Sequence, residues 1–114
     1  MIRIITDSMS DLTQQEAAAQ DFRIVPLTVR FGSEEFLDGV TLDHENFYKR
    51  LETVKELPQT SQVTPEAFAK AFDTELLDSE NEVLCITGSS KLSGTCQSAM
   101  IARNASASPE RIHI

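Results

Sequence analysis

The stretch Glu82-Val83-Leu84-Cys85-Ile86-Thr87, followed by Gly88-Ser89-Ser90-Lys91-Leu92-Ser93-Gly94-Thr95, decides the fold. Its first half is a continuous apolar run, the pattern of a parallel strand buried on both faces. Its second half is a Gly/Ser loop, and Thr95 to about Asn104 reads as the helix that follows. A buried strand that runs through such a loop into a helix is one step of an alternating strand–helix chain.

Before this stretch, Ile2 to Thr6 is a short β-branched run that predicts the first strand, ended by Asp7-Ser8. Ser10 and Asp11 can cap a helix from Leu12 to about Gln20. Ile24 to Phe31 reads as a second strand in which Pro26 removes one ladder donor. Gly32-Ser33 turns the chain, and Glu35 to Leu37 returns. After the Asp38-Gly39 turn, Thr41 or Asp43 starts a helix through Leu51, with Phe47, Leu51 and Val54 on one face. Pro58 stops it, and Gln59 to Val63 reads as a polar linker. Thr64-Pro65 is an N-cap with proline at the first helical position. That helix runs to about Leu77 on Phe68, Phe72 and Leu76.

After the deciding stretch, Ser106 to Pro109 turns and Ile112 begins another strand. The chain stops inside that strand, so the expectation is that more of the protein follows. The order predicts an α/β fold, a three-layer α/β/α arrangement with a mostly parallel sheet.

Composition narrows the function. The chain has 114 residues, formal net charge −8, no Trp and 6% aromatic residues. This balance argues against a nucleic-acid binder, which needs clustered Lys and Arg and stacking aromatics. No apolar run is long enough to span a membrane, and Met1 to Asp7 lacks the pattern of a secretory signal. Cys85 and Cys96 are too few for a disulfide framework or a zinc site, and no metal-ligand spacing appears. The expected location is the cytoplasm, with Cys85 as a buried thiol.

Ligands of open α/β sheets bind beyond the carboxyl ends of the strands. Three polar segments fall there: Asp7-Ser8, Thr60-Ser61-Gln62 and Ser89 to Thr95. The third is the most informative. A Gly/Ser loop at a helix start offers free N–H groups and a positive dipole end. Ser93 and Thr95 add hydroxyls, and Gly94 lets backbone come close to a ligand. Such a set suits a phosphate or carboxylate. The bland alternative is a loop that only turns the chain and caps a helix. Neither a P-loop nor a Gly-x-Ser-x-Gly elbow is present, and His44 and His113 have no partners in sequence. The pattern favours binding over catalysis.

Several ordered segments resemble the DegV family of bacterial fatty-acid-binding proteins. They are Ile4-Ile5-Thr6-Asp7-Ser8, Ser10-Asp11-Leu12, Val25-Pro26-Leu27-Thr28-Val29, Phe31-Gly32 through Asp38-Gly39-Val40, Phe47-Tyr48, Pro58-Gln59-Thr60-Ser61-Gln62, and Ser89 through Thr95 with Gln97-Ser98-Ala99. Gln59 stands where the family usually has Lys, and Cys96 where it usually has Tyr.

The resemblance implies that residues 1–114 form the N-terminal lobe of a two-lobed protein, with the C-terminal lobe outside this chain. It implies a long-chain fatty acid as ligand, no further cofactor, and no catalytic residue. The carboxylate would be held by Thr60 or Ser61 and by Ser93, with Asp7, Ser8, Gly94 and Thr95 in support. A His and an Arg would come from the second lobe. By analogy the protein is a carrier that presents the acid to a fatty-acid kinase for phospholipid synthesis. The competing expectation is an enzyme, a phosphotransferase or hydrolase acting on a phosphorylated substrate at the Ser93 loop, with Asp7 as its acid–base residue or metal contact.

Overall fold

The computed structural model describes residues 1–114. Seven strands and four α-helices form two sheets. The first is parallel, built from β1 (Ile2–Asp7), β2 (Phe22–Val25), β6 (Glu82–Ile86) and β7 (Ile112–His113) in the order β2-β1-β6-β7. The second is antiparallel, built from β3 (Thr28–Phe31), β4 (Glu34–Leu37) and β5 (Gln59–Ser61) in the order β4-β3-β5. The helices are α1 (Gln14–Ala19), α2 (His44–Thr53), α3 (Pro65–Glu75) and α4 (Thr95–Ala105). The protein is thus the α/β fold with a mostly parallel sheet.

The main core lies on one face of the parallel sheet. Ile5, Val83, Cys85 and Ile112 meet Phe68 and Phe72 of α3 and Ala99 and Ala102 of α4. Phe68 and Phe72, one helical turn apart, stack at 5.8 Å. On the opposite face Ile24, level with Thr6 and Ile86, is buried where β2 meets α1. Burial, helped by the nearby Asp7 charge and Cys96, pushes the Cys85 thiol up to about 12.

Strand β6 departs from expectation. Val83 and Cys85 are buried, but Leu84 and Ile86 are exposed. An apolar run reads alike whether one or both faces are covered, and here α3 and α4 cover only one.

The expected second strand is also divided. Its first part pairs with β1, and Thr28–Phe31 belongs to the other sheet. Pro26 stands at the division. The next donor, Leu27 N–H, leaves the ladder and donates to Ser8 Oγ at 3.0 Å.

The first helix starts later than Ser10 or Asp11. Ser8–Ser10 is a 3₁₀ turn, and Asp11 is left-handed at φ 61°. Thr13 caps α1 instead, accepting from Glu16 N–H at 3.0 Å while Glu16 accepts from Thr13 N–H at 2.8 Å. This reciprocal pair satisfies two donors that Ser10 would leave open.

Residues 59–61 are not a free linker. Gln59–Ser61 pairs with β3 as an edge strand. Pairing uses backbone groups, so polar side chains do not prevent it. The third helix also stops at Glu75, with Leu76 as its C-cap, short of Leu77.

One charge cluster ties α3 to the sheet. Glu75 accepts from Arg3 Nε at 2.7 Å and from Arg23 Nε at 2.6 Å, and Arg3 also pairs with Asp21. Burial works against the Glu75 charge, but the two guanidiniums outweigh it and hold the carboxyl below its usual range.

Candidate ligand-binding cleft

The parallel sheet changes direction of growth between β1 and β6. From β1 the chain adds β2 on one side and later β6 on the other. The crevice beyond such a point is the usual ligand position in open α/β sheets. Here the C-terminal ends of β1 and β6 are tied together by Asp7. Its Oδ1 accepts from Met9 N–H and its Oδ2 from Gly88 N–H, both at 2.7 Å. The side chain is 1% exposed. Thr6 adds a bond from Oγ1 to the Ile86 carbonyl at 2.8 Å. Asp7 therefore shapes the crevice from beneath.

A cleft of about 560 Å³ opens there, between the two sheets. That is within the range of roughly 300–1,000 Å³ of small-molecule sites. The Ser93 loop supplies Leu92, Ser93 and Gly94 to one wall. Strand β5 and its exit supply Thr60 and Gln62 to another. Ser8, Met9 and Asp11 after β1, with Leu27 and Asp38, complete the lining.

Two motifs more than 30 residues apart thus face one space through Thr60 and Ser93. Ser61 does not line it. Neighbours in a strand point to opposite faces, and Thr60 is level with Val29 while Ser61 is level with Thr28. Ser8 lines the cleft with its Oγ already accepting from Leu27 N–H. Thr95 is fully buried behind Ser93. Its Oγ1 lies 2.9 Å from Ser93 Oγ and accepts from Val63 N–H at 3.3 Å. Gly94 is the N-cap of α4, which has no side-chain cap.

Gly94 has a steric role. A Cβ there would stand 1.9 Å from Gln62 Oε1. The Gln62 amide lies over the glycine and donates to Ser98 Oγ at 3.3 Å. A side chain at this position would have to displace the flexible end of Gln62. The DegV profile, described as a family of uncharacterised proteins, matches residues 1–114.

The chain belongs to the DegV family.

Its relatives agree. A DegV domain-containing protein of Caldanaerobacter subterraneus subsp. tengcongensis is 41% identical over 103 residues, covering 90% of this chain and 36% of the relative. The chain thus spans about a third of the length of the curated DegV relatives it matches. Among solved structures, a stearic-acid-binding protein from Eubacterium ventriosum matches with TM-score 0.87 and 30% identity, over 99% of this chain and 40% of that one. A DegV family protein from Thermus thermophilus, described by its fatty-acid binding, matches with TM-score 0.80 and 37% identity, over 97% and 39%.

Several DegV cleft residues escape a reading along the chain. Gln62 was visible only as part of a polar segment, and Asp38 only as part of a turn. Asp11 is placed by a left-handed turn rather than by a helix cap. No Lys, Arg or His lines the cleft, whereas Asp11 and Asp38 do. An anion bound here therefore depends on neutral donors, working against two nearby carboxylates.

Proposed function

We propose that this chain provides the head-group cleft of a cytoplasmic DegV carrier for a long-chain fatty acid. The observation that carries the reading is the convergence of Thr60 and Ser93 on one cleft. The two solved relatives described as fatty-acid binders, which share this fold, support it. In this reading Thr60 Oγ1 and Ser93 Oγ donate to the carboxylate. A hydrogen bond to a charged acceptor contributes about 1.5–3 kcal/mol. Leu27, Met9 and Leu92 begin the apolar path of the tail, whose burial contributes about 0.8 kcal/mol per CH₂. The head orients the ligand and the tail supplies affinity.

The reading treats the chain as one lobe of a two-lobed protein, in keeping with the 36% share of its curated relative. The other lobe closes the tunnel and supplies the cation that the cleft lacks. The complete carrier holds the acid without a cofactor and presents it to a fatty-acid kinase for phospholipid synthesis. No observation favours the phosphotransferase or hydrolase: Asp7, its acid–base group, has both oxygens engaged by backbone N–H groups and does not line the cleft.

The test is negative-ion mass spectrometry of an organic extract from the purified full-length, two-lobed protein, wild type against Ser93→Ala, Thr60→Ala and Ser61→Ala. Near-equimolar fatty acid in the wild type and in Ser61→Ala, with at least a fivefold loss in the other two, is the expected result. No fatty acid in the wild type, with none taken up when it is added, overturns the carrier. Unchanged retention in both Ser93→Ala and Thr60→Ala overturns the head-group assignment.

A further inference from the structure

Behind the cleft, three residues form a short chain of hydrogen bonds whose direction can be deduced. Val63 N–H donates to Thr95 Oγ1 at 3.3 Å. Thr95 Oγ1 lies 2.9 Å from Ser93 Oγ, a contact in which either hydroxyl could donate. Thr95 N–H donates to Ser93 Oγ at 3.2 Å. Val63 is 2% exposed and Thr95 is 0% exposed, so water reaches neither.

A threonine hydroxyl has one proton and two lone pairs. Thr95 has spent one lone pair on Val63. Its proton has one acceptor within reach, Ser93 Oγ. If Ser93 donated instead, the buried Thr95 proton would have no acceptor, a costly arrangement. Thr95 therefore donates to Ser93. Ser93 Oγ then accepts twice, from the Thr95 hydroxyl and from the Thr95 N–H. Both of its lone pairs are used, and its own proton is left to point into the cleft.

We infer that Thr95 is a positioning residue that fixes Ser93 as a donor toward the cleft, so that the site selects hydrogen-bond acceptors as head groups. Two hydrogen bonds donated into Ser93 Oγ also polarise its O–H, which strengthens what it donates. Ser93 can then serve a carboxylate and cannot accept from an ammonium. This compensates in part for Asp11 and Asp38, which by charge alone would favour a cationic head. The orientation of Ser93 stands on the hydrogen bonds alone, and its use for a fatty-acid carboxylate rests on the carrier reading.

The first arm needs no ligand. NMR of the protein stripped of lipid should show a slowly exchanging Thr95 hydroxyl proton with NOEs to the Ser93 β protons, and a fast-exchanging Ser93 hydroxyl. A protected Ser93 hydroxyl proton, or no protected Thr95 proton, overturns the inference. The second arm measures binding of palmitate and of hexadecylamine by wild type, Thr95→Val and Thr95→Ser. Removing the hydroxyl frees a lone pair on Ser93, so the palmitate-to-amine affinity ratio should fall about three- to tenfold in Thr95→Val. Thr95→Ser should restore it. Because the readout is a ratio within each variant, a general loss of stability does not move it. An equal ratio in all three overturns the selectivity role. If no variant binds palmitate, the carrier reading fails, while the first arm still decides the direction of the bond.

Discussion

The two sheets are stabilised to different degrees. Twelve buried residues form the core of the parallel sheet, with two phenylalanines fully enclosed. The antiparallel sheet rests on Val29, Phe31 and Leu42, with Phe36, Phe47 and Val54 partly covering them. Its helix α2 has no buried residue. Arg50 covers part of the gap, its guanidinium 4.6 Å from the Phe36 ring centre, a contribution of about 0.5–1 kcal/mol at an exposed site. The cleft therefore joins a firm wall, carrying Ser93, to a softer one, carrying Thr60. Regions with few buried apolar contacts open first, so the Thr60 wall should open before the Ser93 wall.

The largest effect should come from breaking the firm side. Phe72→Ala leaves a cavity in the enclosed core and should cost about 3–5 kcal/mol, read by denaturant unfolding. Phe47→Ala, on the softer side, removes a half-buried ring and should cost about 1–2 kcal/mol. Hydrogen exchange should show opening of β3, β4 and β5 before β1 and β6. Simultaneous exchange in all these strands would mean that the sheets are one cooperative unit.

Next in size is Glu75→Gln, which removes the anchor of Arg3 and Arg23. Glu75 is nearly buried but Arg23 is 43% exposed, so a cost of about 1–3 kcal/mol is expected, between surface and buried pairs. The sign with pH follows from the depressed carboxyl. Its stabilisation is fully present above the usual value of 4.5 and is lost as pH falls through the lower folded value. Wild type should therefore lose more stability than Glu75→Gln between pH 5 and the acid limit, as read by thermal melts. Parallel curves would remove this role.

Ser8→Ala probes the join between the sheets. It leaves the Leu27 N–H without its acceptor where the chain crosses from one sheet to the other. A loss of about 1–2 kcal/mol is expected, with faster exchange of the Leu27 amide. An unchanged amide would show that another group or water replaces the serine.

The smallest effect should come from Asp38→Asn on the soft wall. Removing a partly exposed like charge should raise palmitate affinity by less than about fivefold, and added salt should erase the gain. Weaker binding would mean that Asp38 assists the ligand rather than opposing it.

Much of the fold was legible from local pattern. The strands at Ile2 and Glu82 are short β-branched or apolar runs. Thr64-Pro65 starts α3 because its cap needs only neighbouring residues: Thr64 Oγ1 accepts from Ala67 N–H. Motif resemblance brought out the family, since ordered segments at fixed spacing survive in sequence. The second strand and the polar segment at Gln59 were misread for one physical reason. Which sheet a strand joins, and whether a polar segment joins one at all, depends on backbone partners far along the chain.

The site divides in the same way. Ser93 and the Asp7-Ser8 turn are marked by their position after strands, so residue order alone points to them. The choice between Thr60 and Ser61 lies in the register of β5 against β3, which sends neighbouring side chains to opposite faces. The clamp of Asp7 on Gly88, the seat of Gln62 over Gly94 and the burial of Thr95 behind Ser93 also belong to the tertiary structure. Residue type and short-range spacing carry the strands at Ile2 and Glu82, the start of α3, the family and the polar groups available. Which of those groups share a cleft, and which hydroxyls lie against one another, comes from the fold, because distances and burial are set by residues remote in the chain.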